Sequence, residues 1–111
     1  AGGDNLAVIE KHASRISHVH VKDIRKDVVD GLNRGSESFL DAVIKGAFTV
    51  PGDGSLDFEA IAKSLAAKCY EGWFVIEAEQ DPVVNPPLKM ARKGRAELSR
   101  VMGVVGYEVV R

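Results

Sequence analysis

Apolar and polar positions repeat along this chain with two different periods, and the switches between them divide it into elements. Residues 4–14 repeat every three to four positions. Leu6, Ile9 and Ala13 share a face behind Asp4 or Asn5, either of which suits a helix N-cap. From Ile16 to Lys22 the period drops to two. Ile16, His18, His20 and Lys22 fall on one side and Ser17, Val19 and Val21 on the other, which predicts a strand. Asp23 to Gly46 predicts helix again, broken at Asn33-Arg34-Gly35. Ser36 suits the N-cap of a helix from Ser38 to Lys45 with Phe39, Leu40, Val43 and Ile44 as its apolar face, and Gly46 is a natural stop.

The second half follows the same logic. Pro51-Gly52-Asp53-Gly54 has turn chemistry. Asp57 caps an amphipathic helix with Phe58, Ile61, Leu65 and Cys69 on its buried stripe. A second strand runs from Trp73 to Glu79. Trp73, Val75, Glu77 and Glu79 point inward if it keeps the phase of the first strand, and Phe74, Ile76 and Ala78 pack under helices. A loop spans Gln80 to Pro87. Pro87 sits in the first turn of a last helix, 88–102, where its missing N–H costs nothing. The tail from Val104 to Arg111 is apolar and β-prone and joins no predicted element.

Two strands separated by about fifty residues of helix cannot form a hairpin, so the pattern predicts a right-handed parallel βαβ unit. A parallel sheet of two strands has open edges and cannot bury both faces. This α/β piece is therefore expected to need further strands, from the rest of a longer chain or from copies of itself.

Composition narrows the partners. The chain has 111 residues, a formal net charge of −1 and 45% apolar residues, enough for a real core. Near-neutral charge without a basic block argues against nucleic acid. No apolar run approaches a membrane span, and Ala1-Gly2-Gly3-Asp4 has no signal-peptide character. Opening without Met is expected of a segment or a processed product. One cysteine, Cys69, excludes an internal disulfide and suits a reducing cytoplasm.

Chemistry gathers at the ends of the two strands, where parallel α/β sheets carry their functional groups. The first strand ends His18-Val19-His20-Val21-Lys22-Asp23, and alternation sends both imidazoles and the Lys22 ammonium to one side. The second ends Glu77-Ala78-Glu79, with Glu77 on the side of Val75. Imidazole with carboxylate suits a divalent transition metal such as Mn²⁺ or Co²⁺. One His and one Glu do not complete such a site, which needs three or four protein ligands.

Five segments then carry a family resemblance. Arg15 to Arg25 (RISHVHVKDIR) resembles the seventh strand of the xylose-isomerase-like sugar isomerase and epimerase superfamily. Ser38 to Val43, Phe48 to Gly54, Tyr70 to Pro82 and Pro86 to Arg92 narrow the resemblance to the inosose dehydratase family of myo-inositol catabolism. It covers the chain from Ala1 to about Arg100. His-x-His-x-Lys-Asp alone is specific for the superfamily, and the combination is much more selective.

The resemblance implies that residues 1–111 are a C-terminal βαβα portion, about the last two strands, of one (β/α)8 TIM-barrel domain. It implies a metal held by an early Glu, a middle Asp, a His on the seventh strand and a Glu on the eighth. His20 and Glu77 match the last two, and the first two would lie upstream of Ala1, so the 111-residue chain alone is expected to be inactive. The implied reaction removes water from 2-keto-myo-inositol by way of an enediolate. His18 and Lys22 are the candidates for substrate contact or proton transfer, and Arg25 and Glu79 for substrate binding. The family also implies a glutathione requirement, for which no motif stands here. Two other functions remain open: a sugar isomerase or epimerase sharing the enediolate step, and a catalytically silent barrel piece that self-associates.

Each candidate has a plainer reading beside it. His20 could be a hydrogen-bonded core histidine, and Lys22 an ion pair at a strand end. An inward Glu77 on an apolar strand is costly unless paired or metal-bound. Glu79 and Arg25 read first as solvated surface residues, and Pro51 to Gly54 as a simple turn rather than a substrate-closing loop. Trp73 and Cys69 read as core residues. Lys89, Arg92, Lys93, Arg95 and Arg100 read as a solvated helix face.

Overall fold

The chain's fold is given by a computed structural model that describes residues 2–33 and 35–110. Arg34, in the expected break, and Arg111, in the tail, lie outside them, as does Ala1. Asp4 caps helix α1 (Asn5–His12), its carboxylate accepting from the Ala7 N–H at 3.0 Å. Ile9 is the residue α1 buries, while Leu6 stays 44% exposed. A 3-10 turn (Ala13–Arg15) leads to strand β1 (Val19–Val21), shorter than the alternation from Ile16 to Lys22 suggested.

β1 pairs in parallel with β4 (Phe74–Ile76), placing Val19 opposite Phe74, His20 opposite Val75 and Val21 opposite Ile76. The ladder runs past both ends: Val19 N–H donates to the Trp73 carbonyl and Glu77 N–H to the Val21 carbonyl, each at 3.1 Å. The expected parallel pairing is therefore present.

The helix expected from Asp23 is replaced at its start by a second pairing. β2 (Asp23–Ile24) runs antiparallel to β3 (Phe48–Thr49), and helix α2 (Lys26–Asp30) follows. Two-residue strands are too short to show a period, and their reward is tertiary. Helix α3 (Phe39–Ile44) is capped by Ser38 rather than Ser36. Asp41 answers in a capping box, its carboxylate accepting the Ser38 N–H at 2.7 Å while Ser38 Oγ accepts the Asp41 N–H at 3.2 Å. Its expected apolar face is not buried. Ala42 faces the small core, and Phe39, Leu40 and Ile44 are each more than 60% exposed.

Helix α4 (Phe58–Ala67) is capped by Asp57, as its sequence predicts, and buries Phe58, Ala62 and Leu65. Its stripe stops one turn before Cys69. The helix closes at Lys68, Cys69 turns left-handed (φ 55°) and is exposed, and Tyr70 enters the core in its place. The Tyr70 hydroxyl donates to the Trp73 carbonyl at 2.9 Å. Trp73 itself precedes β4 and is 73% exposed, so neither Cys69 nor Trp73 is a core residue among the described residues. Helix α5 (Pro87–Val105) starts on its proline and runs three residues past the expected end, to Gly106 (φ 88°). Tyr107 of the tail folds back, its ring centroid 5.6 Å from that of Phe74.

Three cores result. Val21, Phe58, Ala62, Leu98, Val101 and Met102 join β1 to α4 and α5, with Val19, Phe74 and Ile76 packed against them. Ile9, Leu65 and Tyr70 dock α1. Val29, Ala42 and Ala47 form a separate small core within the segment from β2 to β3. Full burial of a valine, leucine, isoleucine, phenylalanine or methionine side chain in these cores contributes about 1.5–3 kcal/mol, and of an alanine methyl less. The helices thus cover the valine face of β1, and the face bearing His20 is left for the site.

Candidate functional site

Alternation in β1 turns Val19 and Val21 toward the helices and His20 away from them, toward the open end of the sheet. Glu77 follows β4 directly, and the parallel register brings it beside His20. His20 Nδ1 lies 2.9 Å from Glu77 Oε2. Lys22 Nζ donates to Glu77 Oε1 at 2.9 Å and to Glu79 Oε2 at 3.0 Å. The His18 ring centroid is 5.4 Å from that of His20, tilted by 55°. Four of the residues singled out in the sequence are therefore bonded in one cluster, His20, Lys22, Glu77 and Glu79, with His18 at its edge.

The electrostatics follow from these contacts. The Lys22 hydrogen bond, and then that of His20, hold the Glu77 carboxyl below the usual carboxylate range. Burial works against the Lys22 ammonium, but its bonds to Glu77 and Glu79 outweigh that and raise its pKa. Lys22 is thus held charged, and it occupies one oxygen of Glu77 while His20 meets the other.

Arg25 stands apart from this cluster. Its guanidinium donates to the Gly46 carbonyl at 2.7 Å, Thr49 Oγ1 at 3.2 Å and Asp53 Oδ2 at 2.5 Å. It is neither a free surface arginine nor turned to the His20–Glu77 pair. Asp53 also accepts from Thr49 Oγ1 at 2.7 Å and pairs with Lys93. Burial opposes the Asp53 charge, but Lys93, Thr49 and Arg25 together bring its pKa down to about 2. The fully buried Thr49 hydroxyl accepts in turn from Gln80 Nε2 at 3.2 Å, which ties the loop after β4 to the same knot.

Asp23 escaped the sequence reading. It is 1% exposed, and its carboxylate accepts the N–H groups of Ile24, Gly54, Ser55 and Leu56 at 2.8–3.1 Å. A Cβ on Gly54 would stand 2.4 Å from both Asp23 Oδ1 and the Ile24 carbonyl, so the turn closes only on a glycine. Pro51 to Gly54 is accordingly a latch held by the strand end. The signal was present as an aspartate at a strand end with a Gly-Asp-Gly turn downstream, and an aspartate after a strand reads first as loop.

Metal fit can be judged from the donors. Two donors held at right angles about 2.1 Å from one ion stand about 3 Å apart. The 2.9 Å between His20 Nδ1 and Glu77 Oε2 matches that spacing. Among the described residues no group of three or more His, Cys, Asp or Glu could hold an ion, so the pair by itself does not complete a metal site.

Comparison with known proteins bears on that incompleteness. The family model described as xylose isomerase-like TIM barrel matches residues 1–101. The "Rhizopine catabolism protein MocC" of Rhizobium meliloti is 48% identical over 109 residues, covering 98% of this chain and 34% of that protein. An "Inosose dehydratase" of Geobacillus thermodenitrificans is 47% identical over 104 residues, covering 94% and 35% respectively. One of Clostridium perfringens is 53% identical over 95 residues, covering 86% and 32%. The chain spans about a third of the length of these relatives.

Proposed function

The chain belongs to the xylose isomerase-like TIM barrel family, and from that membership we propose that it supplies the last two strands, C-terminal helices and half the metal ligands of an inosose dehydratase barrel. The observation that carries this reading is the His20–Glu77 pair, 2.9 Å apart across two parallel strands at the ends where barrels of this class do their chemistry. Relatives named inosose dehydratase at 47–53% identity support it. The reaction is the loss of water from 2-keto-myo-inositol to a trihydroxycyclohexane-1,2-dione, placed in the cytoplasm.

His20 and Glu77 would hold a Mn²⁺ or Co²⁺ ion, which when bound supplies Lewis-acid stabilisation of the negative charge that develops as the proton alpha to the ketone leaves. Every other role falls to side chains. Lys22 is a positioning residue: by holding Glu77 Oε1 it leaves Oε2 to face His20. Charged and doubly bonded, it is a poor acceptor for the alpha proton at neutral pH, so His18 is the better group to take that proton and return it to the departing hydroxyl, which leaves as water. Glu79 restrains Lys22 from the far side. Arg25 acts through the latch rather than on substrate.

The relative named for rhizopine catabolism, similar over nearly the whole chain, favours a second reading in which the parent serves that catabolism.

The test is a chimera in which residues 1–111 replace the matched third of the Geobacillus thermodenitrificans inosose dehydratase. With Mn²⁺ or Co²⁺ it is expected to convert 2-keto-myo-inositol, followed by diketone absorbance. His20→Ala and Glu77→Gln should each lower kcat/KM by at least about a hundredfold. A folded chimera without turnover, or full activity in His20→Ala, would sink the proposal.

A further inference from the structure

One flank of the polar cluster is aromatic. The chain leaves β1 at Val21, returns to the main core with α4 at Phe58, and between them folds around its own core of Val29, Ala42 and Ala47. Within this lobe the Asp23 carboxylate closes the turn at Gly54, and the Asp53–Lys93 pair and the Gln80–Thr49 bond pin the lobe to α5 and to the loop after β4. It is a fixed wall rather than a loop free to swing. Beside the polar cluster it presents two aromatic rings. The centroid of Phe48 is 5.6 Å from Lys22 Nζ, the ammonium that holds Glu77. The Phe39 ring stands 5.2 Å from Phe48, tilted by 36°, and Phe39 is 61% exposed.

We propose that Phe39 and Phe48 form the apolar wall of the substrate site, on which the C–H face of a polyhydroxylated ring lies while its oxygens meet His20 and Glu77. The inference rests on the reading of this site as one for a cyclitol or sugar. Such a ring carries hydroxyls round its edge and C–H bonds across its faces. The edge suits imidazole and carboxylate, and the faces suit an aromatic π cloud. The Lys22 charge over Phe48 fixes that ring from one direction, and Phe39 keeps the free area. Leu40 and Ile44 are as exposed on the same helix but lack a ring, so they separate stacking from mere apolarity.

The experiment uses the full chain, deuterated except at its phenylalanine rings, with 2-keto-myo-inositol and separately fructose at millimolar concentration and no metal. Of the four phenylalanines, Phe58 is buried and Phe74 lines a separate cleft on the helix side with Tyr70 and Met102, so it is the dependence on Phe39 that assigns the transfer to this wall. Transfer to the ligand C–H signals is expected. Phe39→Ser should weaken it about threefold to tenfold, Phe39→Tyr should restore it and Leu40→Ser should leave it unchanged. No transfer to either ligand, equal transfer in Phe39→Ser, or equal losses in Phe39→Ser and Leu40→Ser overturns the proposal. Transfer that depends on Phe39 while the chimera fails to dehydrate 2-keto-myo-inositol upholds the wall and rejects the dehydratase reading.

Discussion

Four backbone N–H groups converge on the Asp23 carboxylate, which at 1% exposure is shut off from bulk solvent. Asp23→Ala should therefore destabilise the chain by on the order of 3 kcal/mol, with Asp23→Asn costing less because one acceptor oxygen survives. Urea midpoints at neutral pH would measure both, and an Ala variant within experimental scatter of the parent would contradict the latch. Asp53 makes a prediction with a sign. Its folded pKa of about 2 lies below the ordinary 3.8, so the folded state favours the charged form. The resulting stability is fully present above pH 3.8 and is lost as pH falls through about 2. A shift of that size corresponds to about 2 kcal/mol. Asp53→Asn should be less stable than the parent by roughly this amount at pH 7, and the gap should close as pH falls toward 2. Denaturation at a series of pH values checks it, and a constant gap would count against the Lys93, Thr49 and Arg25 contacts as its source.

Between elements, legibility tracked length. α4 and α5 were readable because each carries several turns of pattern and a start signal, Asp57 in one and Pro87 in the other. β1 and β4 were readable as a parallel pair, and with them His20, Lys22, Glu77 and Glu79, because alternation fixes sides and the strand ends fix the place. β2 and β3 were not, since two residues cannot display a period. Cys69 matched the stripe of α4 by spacing, yet the left-handed turn that ends the helix hands its place to Tyr70. Asp23 and Asp53 were not legible as a latch because the partners that close it, the Gly54, Ser55 and Leu56 amides and the Arg25 and Lys93 cations, lie more than twenty residues away in sequence. The two helical glycines of α5 offer a contrast at this scale. A Cβ at Gly94 would lie 2.9 Å from that of Val50, whereas one at Gly103 meets nothing within 4 Å. Gly103→Ala should stabilise by about 0.5–1 kcal/mol and Gly94→Ala should destabilise by about 1–3 kcal/mol. Thermal melts of the pair decide it, and a shift of the same sign in both would refute the packing of α5 on Val50.

At the scale of the molecule, β1 and β4 form a sheet of two strands among the described residues, so each keeps an unpaired edge. No described helix is long and apolar enough to cross a membrane. Open edges recruit other strands. In sedimentation the mass of the chain should therefore rise above the 12.0 kDa monomer with concentration, and joining it to the remaining two thirds of a relative should abolish the rise. A strict monomer at every concentration would mean the edges are protected in some other way. The lobe between Asp23 and Leu56 has a consequence of a different kind. With its own core, and with Asp23 and Gly54 both inside it, the lobe is a cassette. Recombination between related genes at Val21 and Asp57 exchanges the aromatic side of the site in one piece, provided α5 still offers a cation where Lys93 stands and a glycine where Gly94 meets Val50, and the loop after β4 a donor where Gln80 stands. A crossover between Asp23 and Gly54 parts the carboxylate from the glycine that admits it, so the same two parents yield folded offspring at one pair of junctions and broken ones at the other.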